Sequence, residues 1–167
     1  MKNINKIFAI AIVALGFSTS AFAQSAKSAS STATLVTPLK ITKTTDLDFG
    51  VVASSATAGT IAMNYNNGLT PSGGSYVISG TPTSAKFNVT GADGESISVS
   101  YPTTLTLTGV ALGTLTLSSI TADCGTTTTI GGGAKDIKFS SVLEIPANTV
   151  ADTYTNATGL TVTVNYN

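Results

Sequence analysis

The chain ends in an unbroken alternation of apolar and polar side chains. Leu160, Val162, Val164 and Tyr166 share one parity, and threonine and asparagine occupy the positions between them. A period of two is typical of a β-strand with one buried face. A strand that ends a chain either packs on its own molecule or pairs with a partner, and this choice frames the question of function.

The same alternation recurs in shorter stretches along the chain. Residues 84–90 and 96–101 alternate on either side of Asp93-Gly94, which predicts a hairpin. Residues 46–51, 60–65, 105–117 and 137–145 show the same period between turn-forming residues. We predict about nine or ten short strands in an all-β antiparallel sandwich. A barrel is less favoured, because the inward positions show no polar lumen.

Two stretches are predicted to be loops. Residues 64–74 include Asn67-Gly68, which suits a tight turn, followed by a proline and two glycines. Residues 121–133 contain Cys124-Gly125, four consecutive threonines and three consecutive glycines, which predicts a long flexible loop.

The N-terminus has the pattern of a secretory signal peptide over residues 1–23. Lys2 and Lys6 precede an apolar run, and Ala21-Phe22-Ala23 forms a small-residue cleavage site. Residues 24–33 are small and polar, which predicts a flexible arm, and residues 34–167 then form a single domain. We therefore expect an exported protein without a membrane span, located in the periplasm, on the outer surface or in the medium.

The composition argues against most catalytic chemistry. The sequence has no histidine, arginine or tryptophan, so histidine triads, histidine-ligated metals and arginine phosphate clamps are excluded. Eight lysines balance eight acids, and nothing attracts nucleic acid. The single cysteine, Cys124, permits no internal disulfide, and its role stays open. We expect no enzymatic activity and no cofactor.

Three sequence features could be read as binding or catalytic sites, but each also has an ordinary structural explanation. Asp46 and Asp48 could offer oxygens to calcium, but a solvated strand face explains them better. Residues 131–135 superficially resemble a phosphate loop, with the wrong spacing and no helix after it. Ser84 and Lys86 share a strand face, which we expect to face solvent, where a lysine stays charged and makes a poor base.

Five stretches carry a resemblance to a known family. They are Ala33–Lys43, Asp46–Gly50, Phe87–Gly91, Ile145–Asn148 and Val162–Asn167. Together they resemble a Gram-negative envelope family that is catalogued as a domain of unknown function, number 4402. The likeness covers nearly all of the chain after residue 23. Family members usually have glycine where this chain has Asp152.

The resemblance implies an immunoglobulin-like β-sandwich related to pilin and adhesin subunits, with no catalytic residues assigned. In chaperone–usher pilins, the N-terminal arm of one subunit completes the sheet of its neighbour. By that analogy, one set of residues would line an acceptor edge for assembly: Leu160, Val162, Val164 and Tyr166. A second set would form the donor strand: Ala33, Leu35, Leu39 and Ile41.

Two functional hypotheses follow. The first is a non-enzymatic structural protein of the cell envelope, a fimbrial or pilin-like subunit that assembles by β-strand addition. Its partners would be copies of itself or other fimbrial subunits, with a periplasmic chaperone as a further candidate. The alternative is a monomeric surface or secreted module that binds a glycan or a protein through the loops 64–74 and 121–133. The absence of tryptophan weakens the glycan version.

Overall fold

The computed structural model describes residues 26–111, 113–156 and 158–167. The predicted signal peptide, residues 1–23, and the first two residues of the predicted arm lie outside these ranges. The chain divides into two units, residues 1–34 and residues 35–167. In the first unit, residues 26–34 are exposed and have no regular secondary structure.

The second unit is built from thirteen strands, and its described residues contain no helix. All strand pairs are antiparallel. The strands are β1 (Lys40–Thr45), β2 (Val51–Ala53), β3 (Gly59–Met63), β4 (Leu69–Gly73), β5 (Tyr76–Ser79), β6 (Lys86–Thr90), β7 (Ser96–Ser100), β8 (Leu105–Gly109), β9 (Thr114–Ala122), β10 (Thr127–Thr129), β11 (Ala134–Ile145), β12 (Tyr154–Thr155) and β13 (Thr163–Tyr166). The expected all-β, antiparallel, immunoglobulin-like class is confirmed, with thirteen strands in place of the nine or ten expected.

The long strand β11 organises the larger sheet, whose order is β1-β6-β11-β9-β8-β12. Its first half pairs with β6, and its second half lies between β9 and β3, with β4 beyond β3. A smaller sheet has the order β10-β7-β13, and β2 and β5 form a separate two-stranded ribbon. Alternate residues of β11 are buried, because a pleated strand sends every second side chain into the core.

Phe139 lies at the centre of the core and is fully buried. Its ring meets Phe87 and Tyr101 edge to face, with ring centroids 5.7 and 5.0 Å away. Edge-to-face contacts of this kind add to the energy of apolar burial. The Tyr101 hydroxyl also accepts a hydrogen bond from the Ala122 amide at 3.1 Å, so this aromatic cluster links β11, β6 and β9.

The hairpin predicted around Asp93-Gly94 is wrong. The turn exists, and Gly94 has a φ of 78°, but β6 pairs with β1 and β11 while β7 pairs with β10 and β13. Residues 91–95 therefore cross from one sheet to the other. Alternation shows which side chains of a strand are buried, but it carries no information on which strand supplies the hydrogen bonds.

Both predicted loops contain strands, so those predictions need correction. Residues 69–73 form the edge strand β4, where Pro71 lies opposite Ile61 and its missing amide hydrogen is tolerated. Residues 127–129 form β10, and the Ile130 side chain next to it is fully buried. The region 121–133 is thus largely ordered by pairing with β7, since β-branched threonine suits a strand.

Asp152 replaces the expected glycine without a strained backbone, because its φ is not positive. Its carboxylate accepts hydrogen bonds from the amides of Ala111 and Thr153, both at 2.7 Å. The Asp152 side chain therefore links the turn after β8 to the segment that leads into β12. Near this turn, the Tyr154 hydroxyl donates to the Val150 carbonyl at 2.8 Å.

Candidate assembly site

A cleft opens between two segments that are joined at one end. There, the Asn148 amide donates to the Ser55 carbonyl at 2.8 Å, and the Ser54 hydroxyl donates to the Thr149 carbonyl at 2.9 Å. Away from these bonds, residues 48–54 and 149–155 border two adjoining cavities of about 530 and 400 Å³. We call this space the β2–β12 cleft, after the strands within the two segments.

The floor of the β2–β12 cleft is apolar and comes from the larger sheet. It is formed by side chains of β8, β9 and β11: Leu107, Leu115, Leu143 and Ile145. The rim is also apolar but open to solvent, since Val51, Ile78 and Val150 are 52%, 60% and 62% exposed. Such a cluster of exposed apolar side chains around a concave floor is typical of a docking surface.

The strands beside the cleft have incomplete pairing. In the described part of the chain, β2 pairs only with β5, and β12 pairs only with β8 over two residues. Each strand therefore keeps one edge without a ladder partner. Unpaired backbone amides and carbonyls at a strand edge are a template for an added strand.

A third cavity, of about 160 Å³, extends the depression toward β1. It lies between residues 43–47 on one side and Asn156 and residues 158–160 on the other, over Leu105 and Leu107. Leu107 lines this cavity and the larger of the other two, so the depression continues from one to the next. Of the predicted acceptor residues, Leu160 lines this third cavity.

The other predicted acceptor residues pack on their own molecule. Val162, Val164 and Tyr166 are half-buried against the core. Within the described ranges, β13 pairs with β7 and has no strand on its other side. The alternation at the C-terminus therefore marks an edge strand whose apolar side chains are already in use. Its role as an acceptor edge remains a prediction.

Tyr166 joins the two ends of the second unit. Its hydroxyl accepts a hydrogen bond from the Ala92 amide at 2.7 Å and donates one to the Thr37 carbonyl at 2.5 Å. Gly91 makes room for this arrangement, because a Cβ there would lie 2.5 Å from the Tyr166 oxygen and 2.9 Å from a methyl carbon of Leu39. The chain before β1 is thereby held against the crossing between β6 and β7.

The structure separates the predicted donor residues into two groups. Leu39 and Ile41 pack against their own core, and Ile41 lies in β1 opposite Val89. Leu35 is 92% exposed, and Ala33 is exposed coil in the first unit. Only the part of the donor segment before Pro38 is thus available to another molecule.

Sequence reasoning missed the rim residues Val51, Ile78 and Val150. Each is an apolar side chain in a short stretch flanked by turn-forming residues. That combination was the available signal, because a short strand near turns has few neighbours to cover its apolar side chains.

The other candidate sites have structural explanations. Asp46 pairs with Lys43, and the Asp48 carboxylate accepts from the Gly50 amide at 2.7 Å. No group of three metal-ligating side chains occurs in the described residues. Ser84 does not face solvent as expected: it is buried, and its hydroxyl donates to the Tyr65 carbonyl at 3.2 Å. Residues 131–135 form a turn into β11 rather than a phosphate loop.

Cys124 lies in the turn between β9 and β10 and is half-buried. Burial raises the pKa of its thiol above the ordinary value, and the negative charge of Asp123 raises it further. A raised pKa keeps the thiol protonated at neutral pH, and the protonated form is a poor nucleophile.

An exposed ion pair joins β6 to β11. Asp136 accepts from the Asn88 side chain at 2.8 Å and pairs with the Lys86 ammonium at 2.7 Å, and these bonds lower the pKa of the Asp136 carboxyl below its ordinary value. A lowered folded-state pKa stabilises the fold above the unfolded-state pKa, and this stabilisation is lost as pH falls through the folded-state pKa.

We expect Asp136→Asn to lower the free energy of unfolding by about 0.5 kcal/mol or less at pH 6, since the pair is exposed and screened. The difference from the wild type should become smaller as the pH is lowered from 6 to 2, because the Asp136 carboxyl takes up a proton. Urea unfolding at both pH values measures it, and Lys86→Met, which breaks the same pair, should behave alike. An equal difference at both pH values would contradict this assignment.

No helix among the described residues is long and apolar enough to cross a bilayer.

Comparison with known proteins identifies one family. The family model described as Domain of unknown function (DUF4402) matches residues 39–166. No curated protein and no solved structure gives a significant match to the chain.

Proposed function

The chain belongs to the DUF4402 family, whose description names no activity, and we propose that it is a structural subunit of the cell envelope. The proposed subunit is non-enzymatic and fimbrial or pilin-like, and it assembles by β-strand addition. It acts after export, in the periplasm or at the outer surface. Its partners are copies of itself or related subunits, with a periplasmic chaperone as a candidate helper.

One observation carries the proposal: the same chain presents an unpaired apolar segment and unpaired strand edges around an apolar depression. Leu35 is 92% exposed, and Val36 beside it is 49% exposed. Exposed apolar side chains on an unstructured segment are typical of a segment that becomes ordered on binding. Main-chain hydrogen bonds to an edge strand, with alternate side chains in pockets, would then hold the subunits together.

The alternative of a monomeric binding module has less support. Its two proposed loops contain the strands β4 and β10, so less of each loop is free to adapt to a ligand. That alternative becomes the better account if the protein does not self-associate.

The first test is the mass of the purified exported protein by light scattering over a range of concentrations. We expect a series of oligomers for the wild type and a monomer for the double variant Leu35→Asp/Val36→Asp. Two aspartates cannot replace the apolar anchors, because burying an unpaired carboxylate is strongly unfavourable.

The matched control is Ser28→Asp/Ala29→Asp, which adds the same charge to the same exposed coil without removing a large apolar side chain. This control should assemble like the wild type. A monomeric wild type at every concentration would refute the proposal in favour of the binding module. Full assembly of the Leu35→Asp/Val36→Asp variant would refute the role of this segment.

A further inference from the structure

The start of β1, five residues after Leu35, and the floor of the β2–β12 cleft lie at opposite ends of the larger sheet. Lys40, at the start of β1, lies beside Thr90, which in turn lies beside Ala134 at the start of β11. Ile145, in the floor of the cleft, is at the other end of β11, which has 12 residues. At about 3.3 Å per residue, the two ends of β11 are separated by roughly 36 Å.

Leu35 cannot fill the cleft of its own molecule. The backbone of β1 is fixed from Lys40 onward by its pairing with β6, and the Tyr166 hydroxyl holds Thr37. Five residues of extended chain before Lys40 span at most about 18 Å, roughly half the distance to Ile145. An occupant of the cleft that contains Leu35 must therefore come from a second copy of the chain.

The segment has the chemistry of an added strand. Residues 30–37 contain no glycine or proline, and four of them are β-branched, which favours extended structure. Every residue in this stretch can donate an amide hydrogen to a ladder. Pro38 ends the stretch, because it has no amide hydrogen to offer.

The charges of the two surfaces are complementary. Lys27 and Lys40 flank the segment, and no acidic residue lies from position 26 to position 45. Asp48 and Asp152 line the cleft, and no lysine does. Opposite charges around an apolar contact favour one orientation of the partner and steer its approach.

We propose that the β2–β12 cleft is the acceptor site for residues 30–37 of a second copy, with Leu35 over the apolar floor. This inference rests on the proposed function and assigns its acceptor site to the cleft rather than to the outer edge of β13. Because the start of β1 and the cleft floor lie at opposite ends of the larger sheet, the contact is head to tail. A head-to-tail contact that does not close into a ring builds a linear filament.

The test is disulfide trapping between two differently tagged chains, both carrying Cys124→Ser so that the native thiol cannot react. The donor chain carries Ala33→Cys, on the same face of the proposed strand as Leu35, and the acceptor chain carries Val150→Cys. Both positions are exposed, so both variants should fold. The matched acceptor control is Thr116→Cys, which is exposed on β9 outside the cleft. We expect at least tenfold more cross-linked heterodimer with Val150→Cys than with Thr116→Cys.

Each outcome separates this inference from the proposed function. Preferential trapping at position 150 supports the cleft as the acceptor. Assembly of the wild type without preference for position 150 over position 116 overturns the cleft as the acceptor and leaves strand addition elsewhere, such as at β13, intact. A wild type that stays monomeric overturns the proposed function and this inference together.

Discussion

Replacing Phe139 with alanine is expected to lower the free energy of unfolding by about 3–5 kcal/mol. The side chain is fully buried, and its ring has edge-to-face contacts with Phe87 and Tyr101. Removing it leaves a cavity that Phe87 on β6 and Tyr101 just after β7 cannot move far enough to fill. The measurement is chemical unfolding followed by circular dichroism, which reports the strand content of an all-β protein.

The matched control for this substitution is Val110→Ala. Val110 is 78% exposed, so its truncation should change the free energy of unfolding by less than about 0.5 kcal/mol. A loss below about 1 kcal/mol for Phe139→Ala would mean that Phe139 is not at the centre of a close-packed core.

Tyr166→Phe is expected to lower the free energy of unfolding by about 1–3 kcal/mol while the ring stays in place. The change removes the acceptor of the Ala92 amide and the donor to the Thr37 carbonyl. The amide in particular is left without its partner in a half-buried position. Hydrogen exchange of the Ala92 amide should become faster, since that hydrogen bond protects it.

Tyr76→Phe is the control for loss of a hydroxyl, because Tyr76 is 53% exposed in the β2–β5 ribbon. It should leave both the unfolding energy and the exchange at Ala92 unchanged. Unaltered exchange at Ala92 in Tyr166→Phe would show that the hydroxyl does not hold the segment before β1. Tyr166→Ser, which also removes the ring, should be more destabilising than Tyr166→Phe and should impair assembly if the fold is lost.

The hydrogen bond from the Tyr166 hydroxyl to the Thr37 carbonyl bears on assembly as well as on stability. The Tyr166 hydroxyl holds Thr37 at the end of the sheet away from the floor of the β2–β12 cleft. We propose that the C-terminal strand contributes to assembly in this way, by fixing the chain just before β1. Its own role as an acceptor edge remains a prediction.

The sequence by itself determined the class of the fold and most of its strand faces. Alternation identified the buried positions of β6, β7 and β11 and of the first half of β9, because one face of a pleated strand meets the core and the other meets solvent. It missed Ile120 and Ala122, which are buried in the second half of β9. Which side chains of a strand are buried depends on the local backbone geometry of the strand, and a short stretch of sequence is enough to reveal it.

Only the tertiary structure decided which strands pair and where a cleft opens. Residues 91–95 look like a hairpin turn but join two sheets, and the threonine-rich stretch before Ile130 pairs with β7. Val51, Ile78 and Val150 are far apart in sequence and meet only because β2, β5 and the segment before β12 converge above β9 and β11. Backbone hydrogen bonds are the same for every residue type, so the partner of a strand is chosen by the packing of the whole chain.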